Sequence, residues 1–382
     1  MKREQIKDIA IAMSGGIDSS VTASILKEQG YNIFGFTMVN FNEVSESGCT
    51  ISDFNQYKPV LDAKKICDKL NIQHYTIDLR KEFTDTVMNY FINEYKIGKT
   101  PNPCTYCNPL IKWGLFVDEI TKTLNTKHKI YDFLIATGHY AKIKQLDSEL
   151  YAIFKADDDT RDQTYMLWGL SQKQIKKTIF PLAEYYKNNS DKTHKQKDLT
   201  VREIATTLNK DFENKKDSQD ICFIKGKYAD FLNKYIDFKP GKLLFESTEN
   251  NITTYKTIGE HKGLAFYTLG QRKGLVPWHS PLYVKQLNYK DNTVIVTDNP
   301  MNLYNDTFFV SNINWQQDII PNFNQNIKVQ IRYNSDLKDI MKLDLIDDNL
   351  KVILKTPAKS ITPGQSAVFY LGNQLLGGGT IN

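Results

Sequence analysis

At 382 residues the chain is longer than one hydrophobic core usually organises, so two or three domains are expected. Its composition, 41% hydrophobic and 24% charged, is that of an ordinary globular protein, and five cysteines without an export signal exclude a disulfide scaffold. Net charge is only +5, from 49 basic and 44 acidic side chains, which permits a nucleic-acid partner but requires any basic surface to be local.

The stretch Asp8–Gly30, DIAIAMSGGIDSSVTASILKEQG, reads as strand, glycine turn and helix in immediate succession. Ile9, Ile11 and Met13 end an apolar run at Ser14-Gly15-Gly16. Asp18, Ser19 and Ser20 stand where a cap and first turn belong, and Gly30 stops the helix. Such a turn is an anion site, since glycines admit a phosphate close to the backbone and the helix N-terminus presents free N–H groups and a positive dipole. No Gly-Lys-Ser/Thr follows, so the lysine of a Walker loop is missing.

Beyond it, residues 31–39 are expected to be a strand, 60–70 a helix, 73–79 a strand and 81–95 a helix, an alternation that predicts a doubly wound parallel sheet with ligands at its carboxyl edge. Three prolines and two asparagines in 99–112 (KTPNPCTYCNPLIK) predict irregular chain, followed by a helix over about 111–124 and a strand over 131–137 that ends at Gly138-His139-Tyr140. TYMLWGL at 164–170 reads as helical, and 185–199 as a solvated hydrophilic insertion. From these patterns we expect an α/β domain over 1–227, a small middle domain over 228–282 and a C-terminal β-barrel over 283–382. With no signal peptide and no apolar run of about 18 residues, a cytoplasmic protein without membrane contact is expected.

Cys104-x-x-Cys107 sits in the proline-rich loop and Cys222 far downstream. A lone CxxC is compatible with a redox pair, half a zinc site or ordinary thiols, and without a second CxxC or an HxxxH no four-ligand zinc site is expected. Cys49 and Cys67 read as structural.

SGGIDSS without the lysine resembles the PP-loop ATP pyrophosphatases. The whole set of motifs, AMSGGIDSS, FTM (36–38), TPNPCTYCN (100–108), ATGHYAK (136–142), RDQTYML (161–167), DSQDICFI (217–224), YTLGQRKGL (267–275), IRY (331–333) and PGQSAVFY (363–370), resembles the bacterial tRNA-specific 2-thiouridylases nearly end to end. The resemblance implies that Ala12, Met13, Ser14, Gly15, Gly16, Ile17, Asp18, Ser19, Met38 and Gly138 hold ATP, with Mg2+ bridging its phosphates. It implies that Asn102, Pro103 and Cys104 border a target uridine, that Cys107 is a catalytic thiol and that Cys222 carries a persulfide sulfur. His139, Arg161, Asp162, Gln163, Arg332, Tyr333 and Gln365 match tRNA-contacting positions. Partners implied are a tRNA anticodon arm and a sulfur-donor protein.

One position departs from the family pattern, in which an aspartate stands at Cys104. A thiol, with an ordinary pKa of about 8.5 against about 3.9, does not inherit an aspartate's acid–base role unaltered. Cys104, Cys107 and Cys222 together also suggest an alternative, an iron–sulfur cluster with one open iron. Two further readings remain open: a PP-loop ligase for a small molecule, which leaves the cysteines and barrel without a task, and an inactive RNA-binding scaffold.

Overall fold

The structure, a computed structural model, describes residues 6–42, 51, 53–147, 149–188, 199–213, 215, 221–224, 226, 228–250, 252–318 and 320–382. Cys49 and the DSQD stretch 217–220 therefore lie outside the described residues.

In chain order the first layer system contains β1 (Asp8–Ala12), α1 (Ile17–Glu28), β2 (Asn32–Val39), α2 (Lys58–Lys69) and β3 (Gln73–Asp78). A helical run follows as α3 (Arg80–Phe83), a π-turn at Thr84–Met88 and α4 (Asn89–Lys96). Next come α5 (Pro103–Cys107), a π-helical stretch Asn108–Leu115, α6 (Phe116–His128) and β4 (Leu134–Ala136). After β5 (Lys142–Gln145), β6 (Tyr151–Phe154), α7 (Gln172–Lys176), β7 (Thr178–Ile179), α8 (Val201–Leu208) and α9 (Tyr228–Leu232) the chain becomes all-β.

β3-β2-β1-β4-β7 form a parallel sheet with β1 at its centre. The alternation of a strand's side chains sends Ile9 and Ile11 to the face covered by α1, α2 and α8, and Ala10 to the face covered by α4, α5 and α6. Helices thus pack on both faces, and the strand order reverses between β1 and β4, the place where such sheets bind ligands at their carboxyl ends.

β8 (Gly241–Glu249), β9 (Ile252–His261), β10 (Tyr283–Asn288) and β11 (Thr293–Thr297) make a four-stranded sheet in the order β10-β11-β8-β9. β12 (Tyr304–Trp315), β13 (Ile327–Gln330), β14 (Lys338–Ile346), β15 (Asn349–Lys359), β16 (Ser366–Leu371) and β17 (Gln374–Ile381) close into a six-stranded barrel through the β12–β17 pairing. Strands from 283 and 293, grouped with the barrel on sequence, hydrogen-bond into the four-stranded sheet instead, because β11 pairs in parallel with β8. Conversely β6, from the α/β part of the chain, extends the barrel sheet by pairing Gln374 with Phe154.

Two local expectations fail for identifiable reasons. Residues 103–107 are helical despite the prolines, since Pro103 occupies the first helical position, where its missing N–H is harmless, and the Asn102 side chain caps the Cys104 N–H at 3.1 Å. Residues 164–170 form only a 3-10 turn at Thr164–Met166. Their aromatics go to the barrel instead: Tyr165 donates to the Ser366 carbonyl (2.9 Å) and Trp168 to Ser366 Oγ (3.0 Å).

Candidate active site

The glycine turn after β1 is shaped by its own hydroxyls. Ser19 Oγ accepts from the Ser14 N–H (3.2 Å) and lies as close to Gly16 O, while Ser20 Oγ donates to Gly16 O at 2.8 Å. Gly15 has φ +70°, and a Cβ there would stand 2.5 Å from the Pro59 carbonyl oxygen, so only glycine fits. Gly138, at the end of β4, is constrained by proximity: a Cβ would come within 2.8 Å of Asp18 and of the Ser19 nitrogen. The loops after β1 and β4 therefore touch at the backbone. Met13 and Ile17 are buried in the core, so they can face a nucleotide only through their main chain; Met38 is partly buried on β2 and Ala12 lies at the end of β1.

Two lysines absent from the turn reach it from far downstream. Lys187 pairs with Asp18 Oδ1, which also accepts from Tyr140 OH at 3.0 Å. Lys215 donates to Gly15 O (2.8 Å) and to Asp62 Oδ2 (2.9 Å), tying the turn to α2. Sequence periodicity gave no signal for either, since each stands in a polar segment. Lys187, 1% exposed, departs from the solvated-insertion reading at the start of 185–199, while residues 189–198 of that stretch lie outside the described residues.

Sulfur stands on the sheet face opposite α1. Cys107 packs in the core face formed by α4 and α6, while Phe223, next to Cys222, enters the same cluster. Phe223 is ringed by Phe83, Phe91 and Phe231 at 5.6, 5.5 and 5.3 Å between centroids. This aromatic anchor brings Cys222 beside the CxxC helix although 115 positions separate it from Cys107 in the sequence (222 less 107). The four described cysteines Cys67, Cys104, Cys107 and Cys222 are free thiols.

A thiolate nucleophile is favoured by a lowered pKa, and burial acts in the other direction here. Burial pushes the Cys107 thiol up to about 12 and raises Cys104 as well. Cys222 is exposed on one side, yet the protein packed around its sulfur, with Cys104 nearby, pushes it up to about 11. Lys112 opposes the rise at all three, and the Asn40 side chain hydrogen-bonds Cys222. Among the described residues no three Cys, His, Asp or Glu side chains converge as a metal-holding group, so the iron–sulfur alternative finds no support. A magnesium ion at the turn would arrive with the nucleotide phosphates, as their counter-ion.

The remaining positions have these partners. Gln163 Oε1 accepts from the Tyr140 N–H (3.1 Å), and Asp162 accepts from the Ala156 N–H (3.2 Å) and Thr164 Oγ1 (2.6 Å), burial raising its pKa. Arg161 acts electrostatically on both Tyr140 and Tyr333. From the barrel, Gln365 donates to the Thr100 carbonyl (2.6 Å), the Thr100 N–H donates to Pro363 O (2.9 Å), and Tyr333 packs on Tyr165 at 5.9 Å. Arg332 donates to Ser360 O and Thr362 Oγ1 at 2.7 and 3.0 Å. His139 Nε2 accepts from Lys112 Nζ (3.5 Å) and its Nδ1 meets Thr137 Oγ1 (2.7 Å), and burial with the Lys112 charge drives its pKa well down, leaving it neutral.

A parallel sheet with a lysine-free glycine turn at its carboxyl edge defines a nucleotide-binding domain of the PP-loop class. Family profiles divide the chain accordingly: a tRNA methyl transferase HUP domain matches residues 7–226, a tRNA methyl transferase PRC-barrel domain 229–298 and an aminomethyltransferase β-barrel domain 305–381. A tRNA-specific 2-thiouridylase of Mycoplasma mycoides subsp. mycoides is 38% identical over 390 residues, covering 98% of each chain. Those of Halothermothrix orenii (38% over 384 residues) and Clostridium botulinum (36% over 375) cover 98% of each as well. The chain belongs to the tRNA-specific 2-thiouridylase family. No helix among the described residues is long and apolar enough to cross a membrane.

Proposed function

We propose that the protein is a tRNA-uridine 2-sulfurtransferase that uses ATP to activate the wobble uridine and a Cys222 persulfide to thiolate it. The observation that carries this reading is that a glycine turn and free thiols both stand at the carboxyl edge of one parallel sheet, the turn after β1 and Cys222 held by Asn40 after β2. The family profiles are named for methyl transfer, but free thiols opposite a nucleotide turn suit sulfur transfer.

The uridine O2 attacks the α-phosphorus of ATP, pyrophosphate leaves, and the uridine carries AMP on its former carbonyl oxygen. The N–H groups of the glycine turn receive the departing charge. A sulfur-donor protein loads Cys222 at its exposed side. The terminal persulfide sulfur attacks C2, and AMP departs with the old oxygen. Cys107 then attacks Cys222 Sγ, so the S–S bond breaks toward the nucleobase, giving 2-thiouridine and a Cys107–Cys222 disulfide for an external thiol to reduce. Because Cys107 rests as a protonated thiol, its premature attack on the Cys222 persulfide, which would expel hydrosulfide, is disfavoured until substrate is bound.

Cys104, at the aspartate position, is a protonated thiol and serves the target base as a hydrogen-bond donor. Asn102 and Pro103 set its helix. His139, Arg161, Asp162, Gln163, Arg332, Tyr333 and Gln365 form the anticodon-arm surface, where phosphate contacts position a splayed base. Incubating the protein with tRNA, ATP and a persulfide donor and digesting the RNA for mass spectrometry tests the reading. Equimolar 2-thiouridine and AMP are expected, and pyrophosphate release without thiolated nucleoside would contradict it.

A further inference from the structure

The motif YTLGQRKGL at 267–275 has no part in the reaction above. It forms a tight loop ahead of β10, knitted to itself and to that strand. The Gln271 side chain accepts from the Thr268 N–H (3.0 Å) and donates to the Lys273 carbonyl (2.9 Å). The Gly270 N–H donates to Val284 O (2.8 Å) and the Val284 N–H to Gln271 O (3.0 Å). With its backbone fixed in this way, the loop presents Arg272 and Lys273 to solvent: both are exposed, and neither side chain is paired among the described residues. The loop meets the barrel at Ser360. A Cβ on Gly270, which has φ +80°, would stand 2.5 Å from Ser360 Oγ, so the approach requires glycine. Ser360 is itself in the left-handed region, φ +52°, and its buried hydroxyl has no hydrogen-bond partner among the described residues.

Both features of Ser360 are unfavourable for a serine, and folding alone does not call for them. What the joint achieves is placement. The Ser360 carbonyl accepts from Arg332, and the preceding Lys359 holds its ammonium 5.3 Å from the centre of the Tyr283 ring at the start of β10. The same segment continues through Thr362, a second acceptor of Arg332, to Gln365, which grips Thr100 at the entry to the CxxC helix. Arg272, Lys273, Lys359 and Arg332 thus gather along the seam between the middle sheet and the barrel, the local basic surface that a net charge of only +5 demands. Cations on a fixed backbone lose little freedom on binding, and a row of them suits the repeated charge of a phosphodiester chain. We propose that Arg272 and Lys273 are a phosphate-gripping element of the middle domain, which holds the tRNA backbone beside the Arg332 contact on the barrel.

This inference rests on the tRNA reading above, and the test keeps the two apart. Binding of a tRNA with a wobble uridine to the full chain is titrated at several KCl concentrations for the wild type, Arg272→Gln, Lys273→Gln and Arg272→Lys. Both side chains are exposed, so these substitutions leave the fold intact. Loss of one phosphate contact predicts that each Gln variant weakens binding by about threefold to tenfold and lowers the slope of log K against log [KCl] by about one, whereas Arg272→Lys keeps the wild-type slope. Weakened binding with an unchanged slope, as a merely structural loop would give, overturns the proposal, and so does binding that neither Gln variant changes. If the Gln variants bind tRNA as the wild type does but take up persulfide sulfur from the donor protein more slowly, the loop faces that protein and the proposal is rejected. A wild type that binds no tRNA sinks the tRNA reading and takes this inference with it.

Discussion

At the phosphate turn, the ion pair of Asp18 and Lys187 and the buried Asp158 are held by hydrogen bonds from α1, β4's loop and the entry to α8, so charge is in place before any substrate arrives. Cys104, Cys107 and Cys222, by contrast, have their pKa values raised by burial. Under the proposed reaction, the difference follows from the chemistry that each set of residues would meet. A departing pyrophosphate needs fixed positive groups from the outset. A persulfide pair that ionised early would instead lose its sulfur or close into a disulfide.

The strongest way to break this comparison is at the sulfurs. Cys222→Ser or Cys107→Ser should lower thiouridine formation by about a thousandfold or more while pyrophosphate release persists, because a covalent step disappears and the phosphate wall is untouched. In the wild type, single-turnover sulfur transfer should climb steeply, about tenfold per unit, from pH 7 to 9, since raised pKa values leave little thiolate at neutrality. A flat profile would mean the thiols are already ionised.

Phe223→Ala comes next. Deleting a ring packed against three others costs about 3–5 kcal/mol locally, and it should release Cys222 from the CxxC helix, cutting transfer by about tenfold to a hundredfold with adenylation intact. If both half-reactions fall together, the anchor serves the whole domain rather than the sulfur wall.

Much of the phosphate wall was legible in the sequence because it is local: strand, glycines and first helical turn lie within residues 8–30, and periodicity and turn chemistry act over that range. The sulfur wall became legible only through motif resemblance, since nothing in Asp-Ile-Cys-Phe says that Phe223 will find Phe91. Lys187 escaped entirely. Set among Asn, Asp and Lys residues it has the look of a solvated loop, and only the tertiary pairing with a residue 169 positions earlier removes it from water. The barrel boundary shifted for a related reason, as a parallel β11–β8 ladder leaves no signature in either strand alone.

Smaller effects sharpen the rim of the comparison. Arg332 spends one guanidinium nitrogen on Ser360 and Thr362; if its others meet RNA as proposed, Arg332→Gln should weaken tRNA binding by about fivefold and reduce the salt slope by about one. An unchanged slope would assign the arginine to barrel structure. His139 should show mainly as acid sensitivity. Its pKa is depressed in the fold, so the unfolded chain binds the proton first and stability falls as pH drops below about 6.5. Melting temperatures at pH 7 and 5.5 should therefore diverge less in His139→Gln than in the wild type, and equal losses would place the acid-sensitive group elsewhere.

The central claim is that the uridine oxygen leaves on AMP. A tRNA carrying 18O at O2 of its wobble uridine, incubated with ATP and a persulfide donor, tests it in one step. The account predicts that the heavy oxygen is recovered in the phosphate of AMP, one atom for each 2-thiouridine formed. Label retained in the thiolated RNA, or released to water with unlabelled AMP, would contradict it.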